Sequence, residues 1–111
     1  MQKINFNVQE PYYSFLLSGQ KTIEGRLNKG KFAKLKSGDV LLLAPQDIPF
    51  KVVDIKIYKT FAEMLEKEGI QRVIPDKTSV SEAVATYHSF YTPNDEKQFG
   101  VITIFLERLT K

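Results

Sequence analysis

Between Thr22 and Asn28 the chain alternates without a break: Ile23, Gly25 and Leu27 hold one parity, and Thr22, Glu24, Arg26 and Asn28 hold the other. A period of two sends successive side chains to opposite faces of a β-strand, so this segment presents one apolar and one wholly polar face and requires a sheet around it. Other segments can supply that sheet. Lys3 to Val8 places Ile4, Phe6 and Val8 on one side, and Val40 to Ala44 is an apolar run behind the turn residues Ser37, Gly38 and Asp39. Val53, Ile55 and Ile57 alternate with Asp54, Lys56 and Tyr58, and Pro45 to Pro49 is expected to interrupt the sheet between these last two runs. Gly100 to Glu107, rich in Val, Ile, Thr and Phe, reads as a buried closing strand.

Helical periodicity fills the intervals. Pro11 suits a first helical position, Tyr12, Phe15 and Leu16 recur at helical spacing, and Gly19 suits a left-handed helix end. Thr60 with Glu63 makes a capping box ahead of Phe61, Met64 and Leu65, in a helix ending near Gly69. Ser79 with Glu82 repeats the device ahead of Val80, Ala83, Val84, Tyr87 and Tyr91, and that helix stops before Pro93. The order strand, helix, three strands, two helices, strand predicts an α+β fold. A curled sheet of about five to six strands is covered at its ends by about three helices, and closing the curl would remove exposed strand edges.

The 111 residues contain no repeat, low-complexity stretch or linker, which predicts a single domain over 1–111. Without cysteine, neither a disulfide-stapled scaffold nor a cysteine zinc site is expected, and the spacing offers no other metal site and no cofactor motif. No apolar run approaches the roughly 20 residues that span a bilayer, so the expectation is a cytoplasmic monomer with no membrane association. Charge is unevenly spread: residues 1–59 carry ten Lys or Arg against five Asp or Glu, whereas residues 60–111 carry six against eight. Lys21, Arg26, Lys29, Lys31, Lys34 and Lys36 form a basic block opposed only by Glu24, suited either to phosphates or to a solvated lysine-rich loop.

Within this block Gly19, Lys21, Glu24 and Arg26 stand in the spacing G-x-K-x-x-E-x-R. With a helix before it, a basic loop and the Ser37-Gly38-Asp39 turn after it, and a Gly100-Val101 strand closing the chain, this pattern resembles the signature of the ASCH family over nearly the whole length. The resemblance implies a small PUA-like β-barrel, a cleft holding Lys21, Glu24 and Arg26, and a role in binding RNA or in chemistry on modified nucleosides.

The residues themselves lead to the same place. Glu24 and Arg26, two apart on a strand, share a face and are separated by about 6.6 to 7 Å between Cα atoms, and Lys21 lies where a helix hands over to that strand. A carboxylate between two cations keeps a low pKa, stays ionised and accepts an N–H from a base, while Arg26 can hold a phosphate or carbonyl oxygen or stack on a base. The plainer alternative is a salt bridge that only pins helix to sheet. Asn28, Lys29 and Lys31 would extend the binding surface, with Tyr12 and Phe32 as stacking rings; Tyr87, Phe90 and Tyr91 are further aromatic candidates, the two tyrosines read first as packing. His88, the single histidine, is expected to be exposed and inert.

Two functions follow. One is a binding module in which the charged cleft takes RNA or a modified nucleoside or nucleotide, helped by the basic loop. The other is a small hydrolase acting on RNA or on an acylated nucleoside, with Glu24 as base and Lys21 and Arg26 stabilising charge. In the amidohydrolases that resemble this family a Thr stands where this chain has Glu24, so a Thr nucleophile is not available at that position.

Overall fold

The computed structural model describes residues 1–109; the last two residues of the expected 1–111 domain lie outside the described residues. The elements are β1 (Lys3–Phe6), α1 (Tyr12–Ser18), β2 (Ile23–Leu27), a 3-10 helix (Gly30–Lys34), β3 (Val40–Leu43) and β4 (Ile48–Tyr58), then α2 (Phe61–Glu68), α3 (Val80–Phe90), α4 (Pro93–Phe99) and β5 (Val101–Arg108). The five strands form one curled sheet in the order β1-β3-β4-β5-β2. β1 and β3 run parallel, and every other pair is antiparallel. This is the expected α+β class with five strands.

Local chemistry sets the helix ends. Gly19 closes α1 at φ 87°, a backbone that glycine enters without steric cost, while Pro11 sits one place earlier than expected, as the N-cap residue. Thr60 and Ser79 cap α2 and α3 by accepting the Glu63 and Glu82 N–H groups at 3.0 and 3.1 Å. Two helical segments exceed the expected set. α4 carries no apolar stripe to announce it and is started instead by Thr92, which accepts the Asp95 N–H at 3.1 Å, with Pro93 in the first turn. The 3-10 helix occupies what reads in sequence as a basic loop.

Two readings of β4 are corrected. The strand begins at Ile48 and includes Pro49, opposite Leu42, so the interruption after β3 is shorter than expected. A bulge lies between Val52, which pairs with Leu106, and Asp54, which pairs with Phe105. One extra residue reverses the parity of everything after it. Val53 is therefore the exposed bulge residue, Val52 is the buried one, and Ile57 is also exposed.

Each face of the sheet carries a core. Phe6, Leu41, Leu43, Phe50, Val52, Ile102 and Ile104 pack together with Leu16 and Leu35 on one face, while Ile23, Leu27 and Val101 pack against Phe61, Met64, Leu65, Ala83 and Tyr87 on the other. His88 is half-buried where exposure was expected: its Nε2 lies 2.9 Å from Oε1 of buried Glu96, whose Oε2 accepts the Phe61 N–H at 2.6 Å, so this pair ties α3 and α4 to the start of α2. The curl ends with β1 and β2 as its two edges, leaving a seam where closure was anticipated. Among the described residues no helix is long and apolar enough to cross a membrane.

Candidate functional site

β2 pairs only with β5, with Glu24 opposite Ile104 and Arg26 opposite Ile102. Cross-strand partners share a face, so both charged residues stand on the face of the first core, at the open seam. Arg26 bridges that seam by donating from Nη2 to the Asn7 carbonyl just beyond β1, and its guanidinium lies 4.8 Å from the centre of the Phe32 ring. Its Nε donates to Glu24 Oε2 at 2.6 Å.

Lys21 holds the other carboxylate oxygen. Its Nζ lies 3.1 Å from Glu24 Oε1 and donates to the Ile23 and Val73 carbonyls at 2.6 Å each. Three donors thus meet three acceptors. Lys21 is 3% and Glu24 7% exposed, so this pair is buried, while Arg26 is half-buried. Burial pushes the Glu24 carboxyl up, but the charges and hydrogen bonds of Lys21 and Arg26 outweigh this and hold it below the usual carboxylate range. Burial dominates at Lys21 and lowers its pKa against the pull of Glu24, whereas at Arg26 the Glu24 carboxylate prevails over burial and raises it. The trio carries a net positive charge with an ionised carboxylate at its centre.

Above it opens a cleft of about 380 Å³. One wall is Asn7, Val8 and Gln9 after β1, with Tyr12 of α1; the other is Thr86, Tyr87 and Phe90 of α3 with Tyr91 just past its end, and Val73 and Ile74 complete the lining. Its floor is Lys21, Glu24, Gly25 and Arg26. The α3 wall is stiff because Phe61 stacks on both Tyr87 and Tyr91, with ring centres 4.3 and 5.5 Å apart. Burial raises the Tyr87 hydroxyl well above its ordinary value, and the nearby Glu24 charge adds to the effect. Tyr12 is pushed up to about 12 by burial and by Asp76, whose carboxylate lies 3.4 Å from its hydroxyl. Phe90 is 45% exposed, an unusual position for a large apolar ring bordering a polar cleft.

Of the residues singled out in sequence, Lys21, Glu24, Arg26 and Tyr12 meet in this cleft, but the other four do not line it. Phe32 lies beneath the Arg26 guanidinium as support. Asn28 follows the end of β2 and donates its N–H to the Gly100 carbonyl, Lys29 lies over the Phe99 ring, and Lys31 donates to the Asn5 carbonyl. Tyr87, Phe90 and Tyr91, at spacing i, i+3 and i+4, form the aromatic wall, a helix-face pattern visible in the sequence. Val73 and Ile74 arrive from a loop that no local pattern places there. Among the described residues no group of His, Cys, Asp and Glu could hold a metal ion.

A family model described as ASCH domain matches residues 6–110. The crystal structure of hypothetical protein PH0355 is similar at 39% identity and a TM-score of 0.93, over 97% of this chain and 100% of that one. The solution NMR structure of protein PF0455 from Pyrococcus furiosus is similar at 34% identity and a TM-score of 0.85, over 99% of this chain and 100% of that one. No curated protein matches the chain. The curled five-stranded sheet with its helices is the small PUA-like fold that the motif implied.

Proposed function

The chain belongs to the ASCH domain family, and from that premise we propose that its cleft binds one base of single-stranded RNA or a free, modified nucleoside or nucleotide. The observation that carries this reading is an ionised, buried Glu24 on the floor of a cleft whose walls hold Tyr12, Phe90 and Tyr91. A carboxylate can accept an N–H from a base, and aromatic rings offer stacking worth on the order of 1 to 3 kcal/mol per base. The base enters between α3 and the Asn7–Gln9 segment, and the strand beyond it runs over Arg26 toward Asn28, Lys29 and Lys31, where exposed ammonium groups meet phosphates.

The hydrolase alternative has less support. A carboxyl held below the ordinary range is a weak base, and a lysine with every proton engaged has none to offer an oxyanion. Titrating the protein with single-stranded homopolymer RNA oligonucleotides across a salt series tests the binding reading. Each phosphate met by the basic loop adds about 0.7 to the log-log salt slope, and the absence of binding at low salt contradicts the RNA-binding form of the proposal.

A further inference from the structure

The floor of the cleft includes a stretch of main chain as well as charged side chains. Leu106 donates its N–H to the Thr22 carbonyl and Asn28 donates to the Gly100 carbonyl, so in the β2–β5 ladder the even-numbered residues of β2 exchange hydrogen bonds with β5. The odd-numbered residues then turn their N–H and C=O groups to the free edge. At Ile23 both are occupied, since its N–H goes to the Arg72 carbonyl at 3.2 Å and its C=O takes Lys21 Nζ. At Leu27 the C=O takes the Lys29 N–H. Gly25, between them, is buried and lines the cleft, and neither its N–H nor its C=O has a partner on that edge among the described residues.

A second unpartnered polar group lies beside it. The Tyr87 hydroxyl, on a residue only 7% exposed, makes no hydrogen bond with any described residue and lies 3.2 Å from the position a Cβ on Gly25 would take. The hydroxyl faces the cleft, where water or a ligand can pair with it, and together with the unpartnered main chain of buried Gly25 it marks a place where a ligand completes the hydrogen bonding.

We propose that the Gly25 main chain reads the ligand: its N–H and C=O, side by side on the extended strand, take the acceptor and the adjacent N–H donor of one nucleobase edge, with the Tyr87 hydroxyl as a further contact. This rests on the nucleobase reading of the cleft. A base edge needs only one free residue, whereas an extended peptide adding a strand to β2 would need the Ile23 N–H and C=O and the Leu27 C=O, which are already engaged. The missing side chain has its own reason, because a Cβ at position 25 would meet Met64 Sδ and Cε at 2.9 Å.

The test is a titration of ¹⁵N-labelled protein with the four ribonucleoside 5′-monophosphates. The best binder is then compared with its counterpart methylated at the ring nitrogen of that edge, N1 of a purine or N3 of a pyrimidine. The Gly25 amide proton should move downfield with the unmodified nucleotide, and the methylated one should bind about tenfold or more weakly, as should the unmodified nucleotide to Tyr87→Phe, which keeps its ring on Phe61. Binding that leaves the Gly25 amide unmoved and tolerates the methyl group overturns the role of Gly25 while the cleft reading stands. Absence of binding by all four nucleotides overturns both.

Discussion

Lys21 and Glu24 form a buried pair in which the lysine has no proton left for a ligand, because Nζ lies 3.1 Å from Glu24 Oε1 and donates its other protons to the carbonyls of Ile23 and Val73. Lys21 is thus a positioning group. It fixes the rotamer of Glu24, satisfies the Ile23 carbonyl on the free edge of β2, and draws the loop carrying Val73 against the cleft.

Removing it should therefore be felt as stability. Lys21→Met leaves two carbonyls without a donor and a buried carboxylate with one cation fewer, and should cost about 3 to 5 kcal/mol in urea unfolding. A loss below about 1 kcal/mol, the range of an exposed ion pair, contradicts the assignment.

The lowered pKa of Glu24 has a defined sign in acid. A group whose folded value lies below its ordinary value of 4.5 contributes stability that is fully present above 4.5 and is lost as pH falls through the folded value. Urea midpoints of the parent should fall as pH is lowered through that window, and those of Glu24→Gln should fall less. Equal acid sensitivity in the two proteins refutes the coupling.

Gly25→Ala tests the close approach on the other face of β2. The added carbon meets Met64 Sδ and Cε at 2.9 Å and Tyr87 Oη at 3.2 Å in a core where Met64 is fully buried. A destabilisation of about 1 to 3 kcal/mol is expected from overpacking, read as a shift in the urea midpoint at unchanged slope. An unchanged or raised midpoint shows that the space is open.

β5 lies between β4 and β2 in the sheet, and Val101, Ile102 and Ile104 reach both cores. Truncation after Phe99 should leave a chain without a cooperative thermal transition. A truncated protein that still melts sharply contradicts the placement of β5 at the centre of the fold.

What the sequence makes legible follows the range of the interactions involved. The alternation from Thr22 to Asn28 and the capping boxes at Thr60 and Ser79 are local, and each appears in the fold as read. The face reversal in β4 is not local, since it depends on Val52 and Asp54 pairing with consecutive residues of β5. The convergence of Lys21, Glu24 and Arg26 is legible from their spacing, but the engagement of Lys21 is not, because Val73 is 52 residues away. Phe32, Lys29 and Lys31 share the basic block with Arg26, yet the chain turns at the end of β2 and carries them past the cleft. Gly25 carries a signal that can be read in retrospect, as a glycine between Ile23 and Leu27 on an apolar face implies that something approaches closely.

The most direct measurement of the central claim is the affinity of the parent and of Phe90→Ala for single-stranded RNA at one fixed salt concentration, with the urea midpoint of each recorded alongside. Phe90 is 45% exposed, so its removal should leave the unfolding free energy within about 0.5 kcal/mol of the parent while depriving a bound base of a stacking ring. The account predicts RNA binding by the parent that weakens about tenfold or more in Phe90→Ala at nearly unchanged stability. A parent that binds neither RNA nor a nucleotide, or a Phe90→Ala protein that binds RNA as tightly as the parent, contradicts a base held in this cleft.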